Sequence, residues 1–104
     1  MAQKRSQIDD LAQLLAAAAT RGEVKRLLGD LLTPQEIDEL SLRWKIAREL
    51  LAGRTQRDIA ERLGVSISKI TRASRAVQYG NGGFQLFVRR LKKKAAPKSK
   101  KRRR

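Results

Sequence analysis

Residues 55–73 read TQRDIAERLGVSISKITRA, and this stretch restricts the fold more than any other part of the chain. Thr55 and Ser66 are each placed to cap a helix, and Gly64 ends the first of the two helices. Only Gly64 and Val65 separate that helix from the cap of the next. A link this short makes the helices cross steeply, and a steep crossing needs apolar side chains at fixed positions. Counted from Gln56, positions 4, 8, 10, 15 and 18 hold Ile59, Leu63, Val65, Ile70 and Ala73. Ala60 is small at position 5, where the second helix comes close, and Gly64 at position 9 can adopt the left-handed turn conformation. The spacing predicts a helix-turn-helix over about residues 55–78. An ordinary helical hairpin would need the apolar positions, but not the small residue, the turn glycine and the exposed polar set together.

The exposed positions of that frame point to double-stranded DNA. In a helix-turn-helix the second helix enters the major groove with its N-terminal residues leading. Ser66, Ile67, Ser68, Lys69 and Thr71 are then placed to meet base edges, with lysine suited to guanine acceptors and isoleucine to a thymine methyl. Arg57 is expected to reach a guanine or a phosphate, Arg54 and Gln56 to hold backbone phosphates, and Arg75 to extend the same basic face.

The rest of the chain reads as helical too. Aromatic residues make up only 4% of the sequence, so the core has to come from leucine, isoleucine, valine and alanine. No segment alternates with a strand's period. Ser6 is a candidate cap for a first helix carrying Ile8, Leu11, Leu14 and Leu15 on one face, a leucine stripe with few neighbours of its own. Gly22 is expected to interrupt, before a second helix with Val24, Leu27, Leu28 and Leu31 inward. Thr33, Pro34 and Glu36 form a capping box for a third helix that runs to about Ala52 and is closed by Gly53, with Ile37, Leu40, Ile46, Ala47, Leu50 and Leu51 inward. In the fifth helix either Ile67 or Ile70 faces inward, with Ala73 and Val77. After the glycine-rich YGNGG, residues Phe84, Phe87, Val88 and Leu91 recur at helical spacing. The expectation is an all-α fold of about six helices in one domain, residues 1–94. A chain of 104 residues with an unpartnered leucine stripe calls for a homodimer.

Charge divides the chain unevenly. Of 25 basic residues, 11 lie from Arg89 to Arg104 with no acidic residue among them; the 14 before Arg89 face all 10 acidic ones, a net +4. Residues 95–104 are expected to be a disordered basic tail, and block cationic tails neutralise phosphates. An architectural nucleoid or RNA-binding protein dominated by this tail is the alternative to a sequence-specific regulator. The absence of cysteine and histidine excludes disulfides, thiolate metal sites and the commonest general base, so neither an enzyme nor a bound metal is expected. Asp9, Asp10, Glu36, Asp38 and Glu39 read as capping or surface residues, and Ser66 and Ser68 have no histidine to activate them. No apolar run approaches the roughly 18 residues of a membrane span. The N-terminus has no apolar signal segment, and a cytoplasmic, nucleoid-associated location is expected.

LLTPQEIDELSLRWKIARELLAG, followed by TQRDIAERLGVSISKITRASRAV, resembles the Trp repressor superfamily over roughly residues 30–91. The shared features are the Thr-Pro cap of the long helix, Arg43, TQR at the start of the motif and ITR within its second helix. QYGNGGFQL is more similar to the YerC/YecD branch. The resemblance implies an interleaved homodimer whose two reading heads stand about one DNA turn apart on a pseudo-palindrome. It also implies candidate ligand-binding residues for L-tryptophan as corepressor. The indole would lie between Arg43 and Arg72, Arg72 would pair with the carboxylate, and Thr33 of the other subunit would lie near the amino group. Two positions depart from that pattern. Ala73 stands where the repressors have glycine, and Asp30 where they have an apolar residue. An extra methyl against a tightly fitted ring costs on the order of 1–3 kcal/mol. Without the resemblance, Arg72 reads as a phosphate contact and Arg43 as an ion-pair partner of Asp38 or Glu39 on its own helix.

Overall fold

The computed structural model describes the backbone of residues 2–103 and the side chains of residues 7–93. It contains α1 (Ala2–Ala16), α2 (Arg21–Leu31), α3 (Pro34–Leu51), α4 (Gln56–Leu63), α5 (Ile67–Tyr79) and α6 (Gly83–Arg103), with no strand among the described residues. The all-α expectation of about six helices is met. Two compact units result, Met1–Glu39 and Leu40–Arg104, with their junction inside α3, while the boundary expected near residue 94 falls inside α6.

In the first unit, α1 begins at Ala2, so Ser6 lies within the helix rather than capping it. The helix closes by tightening: the Ala17 and Ala18 N–H groups donate to the Leu14 and Leu15 carbonyls at 3.2 and 3.3 Å. The break before α2 falls at residues 17–20, not at Gly22, which sits in the first turn of α2. Side-chain chemistry sets that start. Thr20 Oγ1 accepts from the Glu23 N–H at 3.1 Å, and Glu23 Oε1 accepts from the Ala19 N–H at 2.8 Å. Two orphan donors are satisfied together, and this outweighs the local weakness of a glycine. The capping box of α3 forms as expected: Thr33 Oγ1 accepts from the Glu36 N–H at 3.1 Å, and Glu36 Oε1 accepts from the Thr33 N–H at 2.9 Å. None of residues 7–39 is buried, and Ile8 is 65% exposed.

In the second unit, α3 ends in a Schellman closure. The Arg54 N–H donates to the Glu49 carbonyl at 3.1 Å and the Gly53 N–H to the Leu50 carbonyl at 3.0 Å, with Gly53 at φ 96°. Thr55 Oγ1 then accepts from the Asp58 N–H and starts α4. Gly64, at φ 66°, ends it. Ser66 Oγ accepts from the Lys69 N–H at 3.4 Å at the start of α5. The core lies where these helices meet: Ile46 of α3, Ile59 of α4, and Ile70 and Ala73 of α5, with Leu42, Leu50, Ala60, Leu63 and Val65 packed around them. All five apolar positions of the motif are in this cluster. Ile70 is the inward isoleucine and Ile67 is 53% exposed. Of the other α3 residues expected inward, Ala47 is buried, whereas Ile37 and Leu40 lie on the surface of the single chain.

α6 is anchored at its start. Phe84 stacks on Trp44 with ring centroids 6.1 Å apart and planes at 25°, and Gln85 Nε2 donates to the Val77 carbonyl at 2.7 Å. The helix continues through residues 95–103, where a disordered tail is expected; lysine, arginine and alanine are good intrinsic helix formers. The side chains of that stretch lie outside the described residues.

Ile70→Ala is predicted to lower stability by roughly 2–5 kcal/mol in chemical denaturation, because the cavity lies among close-packed side chains. Ile67→Ala, three residues away, should stay within about 0.5 kcal/mol. Trp44 is the single tryptophan, so its fluorescence reports the docking of α6. Phe84→Ala should shift that emission to the red and lower stability by roughly 1–3 kcal/mol.

Candidate nucleic-acid interface

Ile70, Ala73 and Ser74 are the buried residues of α5, Val77 is half-buried, and the rest of the helix is exposed. Ser66, Ile67, Ser68, Lys69, Thr71, Arg72 and Arg75 are all exposed, and no acidic residue occurs in α5. The leading end is ordered by short polar bonds. Ser66 Oγ lies 3.2 Å from Ser68 Oγ while accepting the Lys69 amide. The single Thr71 hydroxyl proton is shared between the Ile67 carbonyl, 3.0 Å from Oγ1, and Gln56 Oε1, 3.3 Å away. That last bond links α5 to the first turn of α4 and brings Gln56, half-buried, to the same end of the motif. Of the expected DNA-contacting residues, Thr71 thus has its hydroxyl already engaged within the motif. Arg57 and Lys69 have exposed side chains.

Arg54, expected to hold a backbone phosphate, is ion-paired within the chain. Its guanidinium lies between two carboxylates, 3.7 Å from Glu49 Oε1 and 3.7 Å from Asp58 Oδ2, with half of the side chain exposed. Glu49 also accepts a close hydrogen bond from Arg62 Nη1. Neither Glu49 nor Arg62 stands out in the sequence. They are 13 residues apart on different helices, and no local periodicity couples them. The Arg54–Asp58 pair, at i and i+4, is the legible part of this network.

The candidate ligand-binding residues divide by exposure. Thr33, Arg43 and Arg72 are exposed, whereas Ala73 is 2% exposed, in the same cluster as Ile46, Ile59 and Ile70. Asp30 is exposed. Among the described residues no cluster of three or more aspartate and glutamate side chains is arranged to hold a metal ion, and no helix is long and apolar enough to cross a membrane.

Comparison with known proteins places this geometry in a family. Residues 6–92 match the family model described as Trp repressor protein. The chain is 30% identical over 95 residues to the YerC protein of Bacillus subtilis, covering 91% of each chain. It is 42% identical over 72 residues to the Trp operon repressor homolog of Aliivibrio fischeri, covering 68% of this chain and 67% of that one. The crystal structure of a TrpR-like protein from Eubacterium eligens superposes with a TM-score of 0.75 at 34% identity, over 83% of this chain and 89% of the other. The helix-turn-helix frame, the capped long helix before it and the whole-chain similarity agree, and the chain belongs to the Trp repressor family, a family of DNA-binding transcription regulators.

Proposed function

We propose that this chain represses transcription as a homodimer, placing α5 of each protomer in the major groove of a pseudo-palindromic DNA site. The observation that carries the reading is the two-faced character of α5: Ile70 and Ala73 are buried, while Ser66 to Lys69 and Thr71 form an exposed, acid-free surface at the helix N-terminus. In this reading Ser68 and Lys69 read bases, Ile67 contacts a thymine methyl, and Arg57 and Arg75 hold phosphates. The exposed apolar side chains Ile8, Leu11, Leu14 and Leu15 on α1, with Leu31 on α2, support the dimer. Covering such surface with a second copy contributes roughly 25 cal/mol per Å² of apolar area.

L-tryptophan is not required in this account. Arg43 and Arg72 keep exposed guanidinium groups, but Ala73 has almost no surface to offer a ring, and its methyl fills core space. The basic residues after Arg89 serve as a sequence-independent arm that raises affinity for any duplex.

Selection from a random-sequence duplex library tests the reading. The expected product is a motif with two half-sites about 10 base pairs apart, and fragments with no shared motif would overturn it in favour of an architectural role. The double variant Ser68→Ala, Lys69→Ala should reduce preference for the selected site at least tenfold while leaving the fold intact by circular dichroism. Deleting residues 93–104 should instead weaken selected and scrambled duplexes alike and flatten the salt dependence. Calorimetric titration with L-tryptophan is expected to show no site; heat for one site per protomer would reassign Arg43, Arg72 and Thr33 as a ligand pocket.

A further inference from the structure

Glu49 stands where both ends of α4 return to α3. It lies in the last turn of α3, with 17% of its side chain exposed. Its carboxylate accepts from Arg62, the penultimate residue of α4, and pairs with Arg54, which immediately precedes the α4 cap. Arg54 is held twice over, since its N–H also donates to the Glu49 carbonyl at 3.1 Å and its guanidinium reaches Asp58 in the first turn of α4. One carboxylate therefore straps an eight-residue helix at both ends. α4 in turn presents Ile59 to Ile70 and Ala73, so the setting of α4 fixes that of α5.

A guanidinium prefers a carboxylate or a phosphate in fork geometry, and one engaged on the first is withheld from the second. Freeing two arginines beside a DNA-facing helix would strengthen contacts that carry no sequence information.

On the DNA-binding reading above, we propose that Glu49 is a positioning residue that sets sequence discrimination in two ways. Through Arg62 and Arg54 it orients α4, and hence α5, for base reading. By engaging both guanidinium groups it also keeps them off the phosphate backbone and holds down non-specific affinity. Arg54 is then a strap and not a phosphate contact.

The test is fluorescence anisotropy with a duplex selected by the wild-type chain and a scrambled duplex of equal composition, from about 50 to 200 mM salt. Glu49→Gln should bind the scrambled duplex about three- to tenfold more tightly, steepen its log–log salt slope by about 0.9 to 1.8, and cut the selected-to-scrambled ratio at least tenfold. Adding Arg62→Ala to Glu49→Gln should take back about 0.9 of that slope, whereas Arg54→Ala alone should leave the slope unchanged. Glu49→Asp, which keeps the charge, should keep the wild-type slope. Thermal melting is followed for every variant. An unchanged slope in Glu49→Gln overturns the proposal, as does an equal loss on both duplexes in step with a lower melting temperature. If Glu49→Gln does not fold, Arg54→Ala alone decides: a slope reduced by about 0.9 makes Arg54 a phosphate contact and overturns the strap. A wild-type chain with equal affinity for both duplexes overturns the DNA-reading assignment itself, an outcome distinct from discrimination that survives the loss of Glu49.

Discussion

Ile46, Ile59 and Ile70 meet at the centre of the second unit, where α3, α4 and α5 converge, and each is 2% exposed or less. Three β-branched side chains of equal volume from three helices form a stiff junction, because few rotamers are open to them and close packing penalises any change of volume. The helix-turn-helix surface proposed to face DNA is presented from this junction. The turn between α4 and α5 is closed locally: Gly64 supplies a left-handed residue, and the Val65 N–H donates to the Ala60 carbonyl at 3.2 Å. α5 is therefore rigid on its inner side and chemically open on its outer side.

Polar chemistry is layered on that core without entering it. Ser74, at 9% exposure, is the one polar residue among the buried ones described, and no buried side-chain donor or acceptor lacks a partner among the described residues. The charges sit at the ends of α4, where Glu49, Arg54, Asp58 and Arg62 join it to α3. Partly exposed ion pairs contribute little to stability in general. Their consequence here lies in orientation and in which cations remain available to a polyanion.

The reading head was largely legible in the sequence because its determinants are local. Caps, the turn glycine and apolar spacing over 19 residues act through neighbours in the chain, and Thr55, Ser66, Gly64, Ile59 and Ile70 take the places their positions imply. The start of α2 is not legible from Gly22 alone, because Thr20 and Glu23 together decide the helix N-terminus. Ile67 and Ile70 were indistinguishable by helical periodicity, and contact with Ile46 and Ile59 separates them. The Glu49–Arg62 pair could not be read at all, since it depends on the angle at which α4 returns to α3. The apolar side chains Ile8, Leu11, Leu14 and Leu15 of α1 remain on the surface of the single chain, so their periodicity marks one face of a helix without showing what that face packs against.

In the DNA-reading assignment the N-terminal turn of α5 meets the bases. The Ile67 and Ser68 amides lie in that first turn and have no intrahelical acceptor, so they exchange readily in the free protein and report directly on anything laid against them. Amide exchange by NMR, with and without a selected duplex, should show slowed exchange at residues 67 and 68. Unchanged exchange there, with slowing confined to residues beyond Leu91, would contradict the account and leave the basic C-terminal segment as the DNA-binding element.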